Sequence, residues 1–216
     1  MATRLIQSTG ARLPPLPTVR DLVKLYKLRA LKEMSQNFLL DERITDKIVK
    51  AAGKIEDHFV LEVGPGPGSI TRSIIRRCPK HLIVVEKDRR FLPTLQLLEE
   101  ACIQTTKMDI IRGDILKYPL DNCFPECPKT DWNDHRAPVH LIGNLPFSIS
   151  TRLLINWLKD ISLQRGAWAY GRSSLTLTFQ KEVAERIVAP ILTQERCRLS
   201  IMSQLWTTCE LRFYIP

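Results

Sequence analysis

Apolar and polar positions change period repeatedly along the chain. Short apolar, β-rich runs occupy 58–63 (HFVLEV), 81–86 (HLIVVE), 107–113 (KMDIIRG), 139–143 (VHLIG) and 173–179 (SSLTLTF). Stretches with helical spacing fall between them, near 69–77, 89–100, 150–159 and 181–188. Short strands that are apolar on both faces belong inside a parallel sheet, and the helices between them supply its crossovers. The pattern therefore predicts an α/β, doubly wound sheet. RLSIMSQLW and ELRFYIP follow the fifth run without room for a crossover helix. They read as two more strands in an antiparallel hairpin at one edge, which makes seven strands, mostly parallel. Near the amino terminus Val19, Leu22, Val23, Tyr26 and Ala30 keep helical spacing after Pro17. Ligands of doubly wound sheets bind at the carboxyl ends of the strands, so chemistry is sought there.

Composition adds a core and a partner. The 216 residues are 44% apolar and 25% charged, enough for a sizeable core and unlike a disordered tail, a collagen repeat or a disulfide miniprotein. No run of about 18 uncharged apolar residues occurs, so no transmembrane helix is expected and the chain reads as soluble, with no membrane partner. The net charge of +9 points to a polyanion. Its distribution is uneven. Residues 1–34 carry seven basic and two acidic side chains and residues 151–216 carry nine and five, whereas 35–150 hold 16 of each. Whatever the neutral middle binds is not recruited by bulk charge.

The charge divides the chain into a basic amino-terminal segment, 1–34, and a domain over 35–216. Arg4, Arg12, Arg20 and Arg29 lie among apolar and hydroxyl residues, with acids only at Asp21 and Glu33. That composition reads as a mitochondrial targeting segment; a secretory signal would need an apolar stretch of roughly 7–15 residues. A basic arm that docks on the domain or on nucleic acid is the alternative, and both readings can hold. The six cysteines read as free thiols in a reducing compartment. Cys123, Cys127, His135 and His140 have the right chemistry for zinc, but their spacing matches no common finger and a surface loop explains them as well, so no metal is expected.

The first apolar run leads directly into Glu62-Val-Gly64-Pro-Gly66-Pro-Gly68 and then a helix. Glycines there let the backbone turn sharply and approach a ligand. A dinucleotide fingerprint wants its third small residue where Ser69 stands, and Gly68 falls one place early. The two prolines also remove amide donors that a pyrophosphate would use. The loop thus suits a nucleoside without a pyrophosphate, and S-adenosylmethionine is such a ligand. Glu86 ends the second strand, 22 residues after Gly64, where a carboxylate can take both ribose hydroxyls. Gly113-Asp114 ends the third and places a second carboxylate near the adenine amino group.

Asn144-Leu145-Pro146-Phe147, after the fourth strand, is the most specific signal. An exocyclic aromatic amine is a poor nucleophile because its lone pair is delocalised. The Asn144 side-chain oxygen and the Leu145 carbonyl can accept its two hydrogens and aim the lone pair at a methyl group. Pro146 stiffens the turn, and Phe147 offers a face on which a flipped-out base can stack. No strong base is required, because the nitrogen becomes acidic only after the new bond forms and water can take the proton.

With these residues in view, the chain from Ser35 to about Pro216 resembles the adenine-N6 dimethyltransferases of small-subunit ribosomal RNA. Gln36-Asn37-Phe38-Leu39, the glycine loop, Glu86, Asp114, the NLPF tetrad and the stretch Thr178–Arg186 are all similar to that family's motifs. The basic amino terminus, GPGPG and GRSSLTLTFQKEVAERI look most like its animal mitochondrial branch, which is also linked to transcription. The resemblance implies a Rossmann-like, S-adenosylmethionine-dependent fold. It implies that Gln36 and Asn37 close over the cofactor, and that Leu39, Gly64, Glu86, Lys87, Asp114, Ile115 and Asn144 hold it beside Glu62 and Gly66 of the glycine loop. The implied substrate is two adjacent adenines in a hairpin loop near the 3′ end of mitochondrial small-subunit rRNA, each methylated twice. The implied location is the mitochondrial matrix, with the transcription machinery a further partner. The resemblance also implies a Phe-x-Pro-x-Pro segment and a small helical RNA-gripping domain beyond the last strand, neither of which is in a chain that stops at Pro216. In the carboxyl-terminal part Lys181, Arg186, Arg196 and Arg198 are the candidates for RNA phosphates.

A non-catalytic RNA-binding or transcription accessory factor on the same fold is the alternative, and the intact tetrad argues against it. Ser69 and the lack of a hydride-transfer acid disfavour a nicotinamide oxidoreductase. Methylation of a glutamine or of DNA adenine stays open, because the tetrad recognises an amino group rather than a polymer.

Overall fold

A computed structural model describes residues 16–25 and 39–215. Five strands form one sheet: β1 (Phe59–Val63), β2 (His81–Glu86), β3 (Lys107–Arg112), β4 (Val139–Asn144) and β5 (Ser174–Thr178). They are all parallel, in the order β3-β2-β1-β4-β5. β1 and β2 are buried along their whole length, whereas the edge strands β3 and β5 are mostly half exposed. This gradient is why the central runs are continuously apolar and the outer ones carry Lys, Asp, Ser and Thr.

The pleat sorts side chains between two cores. Phe59, Leu61, Val63, Ile83 and Val85 face one, closed by α5 (Phe147–Ser162) and the Trp168 segment; Val60, Leu82 and Val84 face the other, closed by α2 (Glu42–Ala51), α3 (Ser69–Ile75) and α4 (Leu92–Cys102). From β1 the chain builds outward through β2 and β3, then returns to lay β4 on the other side of β1. That reversal splays the loops after β1 and β4 apart and opens a crevice at their carboxyl ends. The fold is a doubly wound, all-parallel α/β sheet of the Rossmann-like kind.

The expected antiparallel hairpin is not there, and the described residues hold five strands rather than seven. RLSIMSQLW is the helix α7 (Arg198–Trp206), and residues 207–215 have no regular structure. The buried side of α7 is polar, while Ile201, Met202 and Leu205 are exposed, so apolar spacing does not reveal the helix. Ser200 is fully buried and donates to the Arg186 carbonyl at the end of α6 (Lys181–Val188) over 2.5 Å. Gln204 donates to the carbonyls of Ile187 and Ala189 over 3.1 and 2.9 Å. Phe213 and Ile215 pack against the second core instead of pairing in the sheet.

Part of the basic segment lies on the domain. α1 (Val19–Leu25) buries Val19 and Leu22, and Arg72, buried within α3, donates to the Pro17 carbonyl over 2.8 Å. Tyr26 and Ala30, the rest of that helical spacing, fall outside the described residues. No described helix is long and apolar enough to cross a membrane.

The suspected zinc residues are dispersed. Cys127 is buried and Cys123 half buried against the first core, and burial pushes both thiols up to about 11. His140, in β4, meets His58 through Nε2 and Nδ1 at 2.9 Å, and His135 pairs on the surface with Asp134. Among the described residues no three His, Cys, Asp or Glu side chains form a metal-binding group.

Candidate functional site

An open cleft lies over the carboxyl ends of β1, β2 and β4. Its walls are Leu39 before α2, residues 64–67 of the glycine loop, Ser69 and Ile70 of α3, Glu62, Glu86 and Phe91, and the whole stretch Asn144–Phe147. The glycine loop and the tetrad, 80 residues apart in the chain, therefore face one space.

The loop between β1 and α3 is shaped by its glycines. Gly66 has φ +55, and its amide points at Glu86, donating to Oε2 over 2.9 Å. Gly68 caps α3 with φ +88, and a β-carbon there would come within 2.5 Å of Leu98 Cδ1 in α4. Gly68 thus performs the close-packing role that a dinucleotide fingerprint gives to its sixth position, with α4 as the surface approached.

Three carboxylates reach strand ends in different states. Glu62 is 1% exposed, and its Oε2 has no hydrogen-bond partner. Burial, with a smaller share from the neighbouring Glu86 charge, pushes its carboxyl up to about 8. Glu86 is 5% exposed and raised by burial, an effect offset by the amides of Asp88 (2.7 Å to Oε1) and Gly66. Asp114 sits just past β3 and outside the cleft wall. Partial burial would raise it, but the Lys87 ammonium at 3.0 Å and the Leu116 amide at 3.0 Å hold it below the usual carboxylate range. Lys87 is largely exposed and Ile115 is buried in the first core; neither lines the cleft.

The tetrad turns the chain from β4 into α5. Pro146 is the N-cap, Leu145 is buried, and Phe147 opens the helix with 36% of its surface exposed at the mouth of the cleft. Asn144 Oδ1 accepts the Thr178 hydroxyl over 2.5 Å. A β-carbon on Gly143 would meet the Val63 carbonyl at 3.0 Å, so the glycine before the tetrad lets β4 lie close to β1.

Gln36 and Asn37 fall outside the described residues. Of the proposed phosphate contacts, Lys181, Arg186 and Arg198 are exposed, with Lys181 4.0 Å from Glu185. Arg196 is only half exposed and commits one guanidinium nitrogen to Ala189 and Gln204, which ties α7 to the turn after α6.

Besides Ile70 and Phe91 of the cleft wall, two polar residues of the site escape a reading of the sequence. Ser69, at the first turn of α3, lines the cleft with a buried hydroxyl that has no partner. Thr178 reaches Asn144 only through the pairing of β4 with β5.

The lining fits a cationic nucleoside. It holds two carboxylates and no lysine or arginine among the described residues, and it offers Glu62 Oε2 and Ser69 Oγ as unspent polar atoms. A pyrophosphate would meet the reverse of what it needs.

Comparison with known proteins is consistent with this geometry. The family model "Ribosomal RNA adenine dimethylase" matches residues 28–212. The chain is 58% identical to the Drosophila pseudoobscura protein named "Dimethyladenosine transferase 1, mitochondrial", over 99% of this chain and 62% of that one. It is 52% identical to the human protein of the same name, over 95% and 59%. A solved dimethyladenosine transferase from Plasmodium falciparum superposes with a TM-score of 0.56 at 26% identity, covering 78% of this chain and 52% of the other. The chain thus spans about three fifths of the length of these curated relatives.

Proposed function

The chain belongs to the ribosomal RNA adenine dimethylase family, and on that premise we propose that it methylates N6 of two adjacent adenines in a hairpin loop near the 3′ end of mitochondrial small-subunit rRNA, supporting assembly of the small subunit. The cofactor is S-adenosylmethionine, whose sulfonium supplies the methyl group. What supports this reading above all is one cleft in which an acidic, incompletely hydrogen-bonded floor meets the tetrad.

Each residue then has a task. Glu62 faces the cationic amino-acid end of the cofactor, with Ser69 beside it, and the ligand's charge draws the Glu62 proton off. Glu86 already holds the loop through Gly66 and keeps acceptor capacity for the ribose hydroxyls. Asp114 takes the adenine amino group over Ile115 once Lys87 yields, and Gln36, Asn37 and Leu39 cover the ligand. Phe147 stacks the flipped base at the cleft mouth. Asn144 Oδ1 and the Leu145 carbonyl accept the two amine hydrogens, turn the lone pair toward the methyl carbon and stabilise the charge that develops on nitrogen. The proton leaves to water after the bond is made.

The basic flanks and the names of the relatives support a mitochondrial location, in the matrix, with the small-subunit rRNA as partner and the transcription machinery as a second one. Residues 1–34 act as the targeting and docking arm, and 35–216 as the catalytic domain. The test incubates the protein with methyl-labelled cofactor and a hairpin bearing the two adenines, followed by mass spectrometry. We expect dimethylated adenines, and none in a hairpin with guanines at those positions. RNA binding without methyl transfer would overturn the reading and favour an accessory factor.

A further inference from the structure

Asn144 closes β4 and Thr178 closes β5, and the parallel ladder sets them directly side by side. The Thr178 hydroxyl donates to Asn144 Oδ1 over 2.5 Å. An asparagine carboxamide has a broad, roughly two-fold torsion, and its oxygen and nitrogen ends are nearly the same size. Packing alone therefore selects poorly between them, although their chemistry is opposite. An amine that must give up hydrogens finds an acceptor at one end and a competing donor at the other.

We propose that Thr178 is a positioning residue for methyl transfer: its hydroxyl holds the Asn144 carboxamide with the oxygen end available to the target amine. The inference rests on the function proposed above. Threonine suits the task because its branched β-carbon restricts χ1 in a strand, so the hydroxyl is a fixed pointer. The strand that carries it is anchored along its length to β4, from His140 with Ser174 to Asn144 with Thr178. A carbonyl oxygen has two acceptor sites, and the Thr178 hydroxyl takes one of them. In this role the hydroxyl acts through Asn144.

Thr178→Val keeps the shape and removes the hydroxyl; Thr178→Ser keeps the hydroxyl on a looser stem. We expect Thr178→Val to lower kcat by about tenfold to a hundredfold, the range over which small misplacements act. KM for the RNA hairpin and cofactor affinity by calorimetry should stay within about twofold, and Thr178→Ser should recover most of the loss. The Asn144 side-chain amide resonances, identified by their loss in Asn144→Ala, should move in Thr178→Val and hold in Thr178→Ser. An unchanged kcat, a loss that serine does not rescue, or Asn144 resonances that stay in place would each overturn the proposal. If the unsubstituted protein transfers no methyl group, the functional reading falls, while the Asn144 resonances still decide whether Thr178 holds the carboxamide.

Discussion

The Gly66 amide and the Glu86 carboxylate are joined across 2.9 Å, so the residue placed to take the ribose also ties down the loop that surrounds the ligand. Glu86→Ala removes both functions at once. Cofactor affinity is expected to fall by at least about a hundredfold, since a lost charged acceptor is worth roughly 1.5–3 kcal/mol and the freed Gly66 amide adds to the loss. Calorimetry with S-adenosylhomocysteine checks it.

Gly68→Ala should destabilise the fold by about 2 kcal/mol or more. The cost has two parts: a left-handed backbone at φ +88 and a β-carbon 2.5 Å from Leu98 Cδ1. Trimming Leu98 to alanine in the same chain should relieve the clash and leave the backbone strain, which denaturant melts of the single and double variants separate.

Asn144→Ala is expected to abolish methyl transfer while cofactor affinity falls only modestly, because the glycine loop, Glu62 and Glu86 remain in the cleft wall. Filter binding of labelled cofactor, run beside the transfer assay, distinguishes the two effects.

Glu62 makes the ligand-free protein sensitive to base. Its folded carboxyl keeps its proton to about pH 8, against about 4.5 in the unfolded chain. The stability it contributes is complete below 4.5 and is lost as pH rises through 8. Thermal melts from pH 5 to 8.5 should show this decline, Glu62→Gln should flatten it, and saturating cofactor should do the same because the ligand's cation favours the ionised form.

His140 acts on the acid side. Burial, helped by the charges of His58 and Arg136, holds it down to about 4. Stability from the neutral imidazole is full above 6.5 and drains as pH falls through 4, for a loss of about 3 kcal/mol. Melting temperatures between pH 7 and 4 should drop more steeply in the parent chain than in His140→Asn.

The five strands are legible in the sequence to within a residue or two, because burial on both faces makes β1, β2 and most of β4 predominantly apolar. The order of motifs along a doubly wound sheet also makes it legible that the glycine loop, Glu86 and Asn144 converge. What escapes is set by contacts between distant residues. α7 hides because Ser200 and Gln204 hold it by hydrogen bonds while Ile201, Met202 and Leu205 face outward. Thr178 hides because 34 residues separate it from Asn144 and only strand register joins them. Ser69 is visible as a departure from a dinucleotide fingerprint, but its unspent hydroxyl follows only from the way α3 is buried.

The docking of α1 carries a consequence of timing. Val19 and Leu22 are the apolar side of a basic segment, and in the folded domain that side is buried, with Arg72 of α3 fastened to Pro17. A helix cannot show the same face to two surfaces at once. Any receptor that reads those two side chains as an address must read them before the domain closes, and folding itself then erases the label.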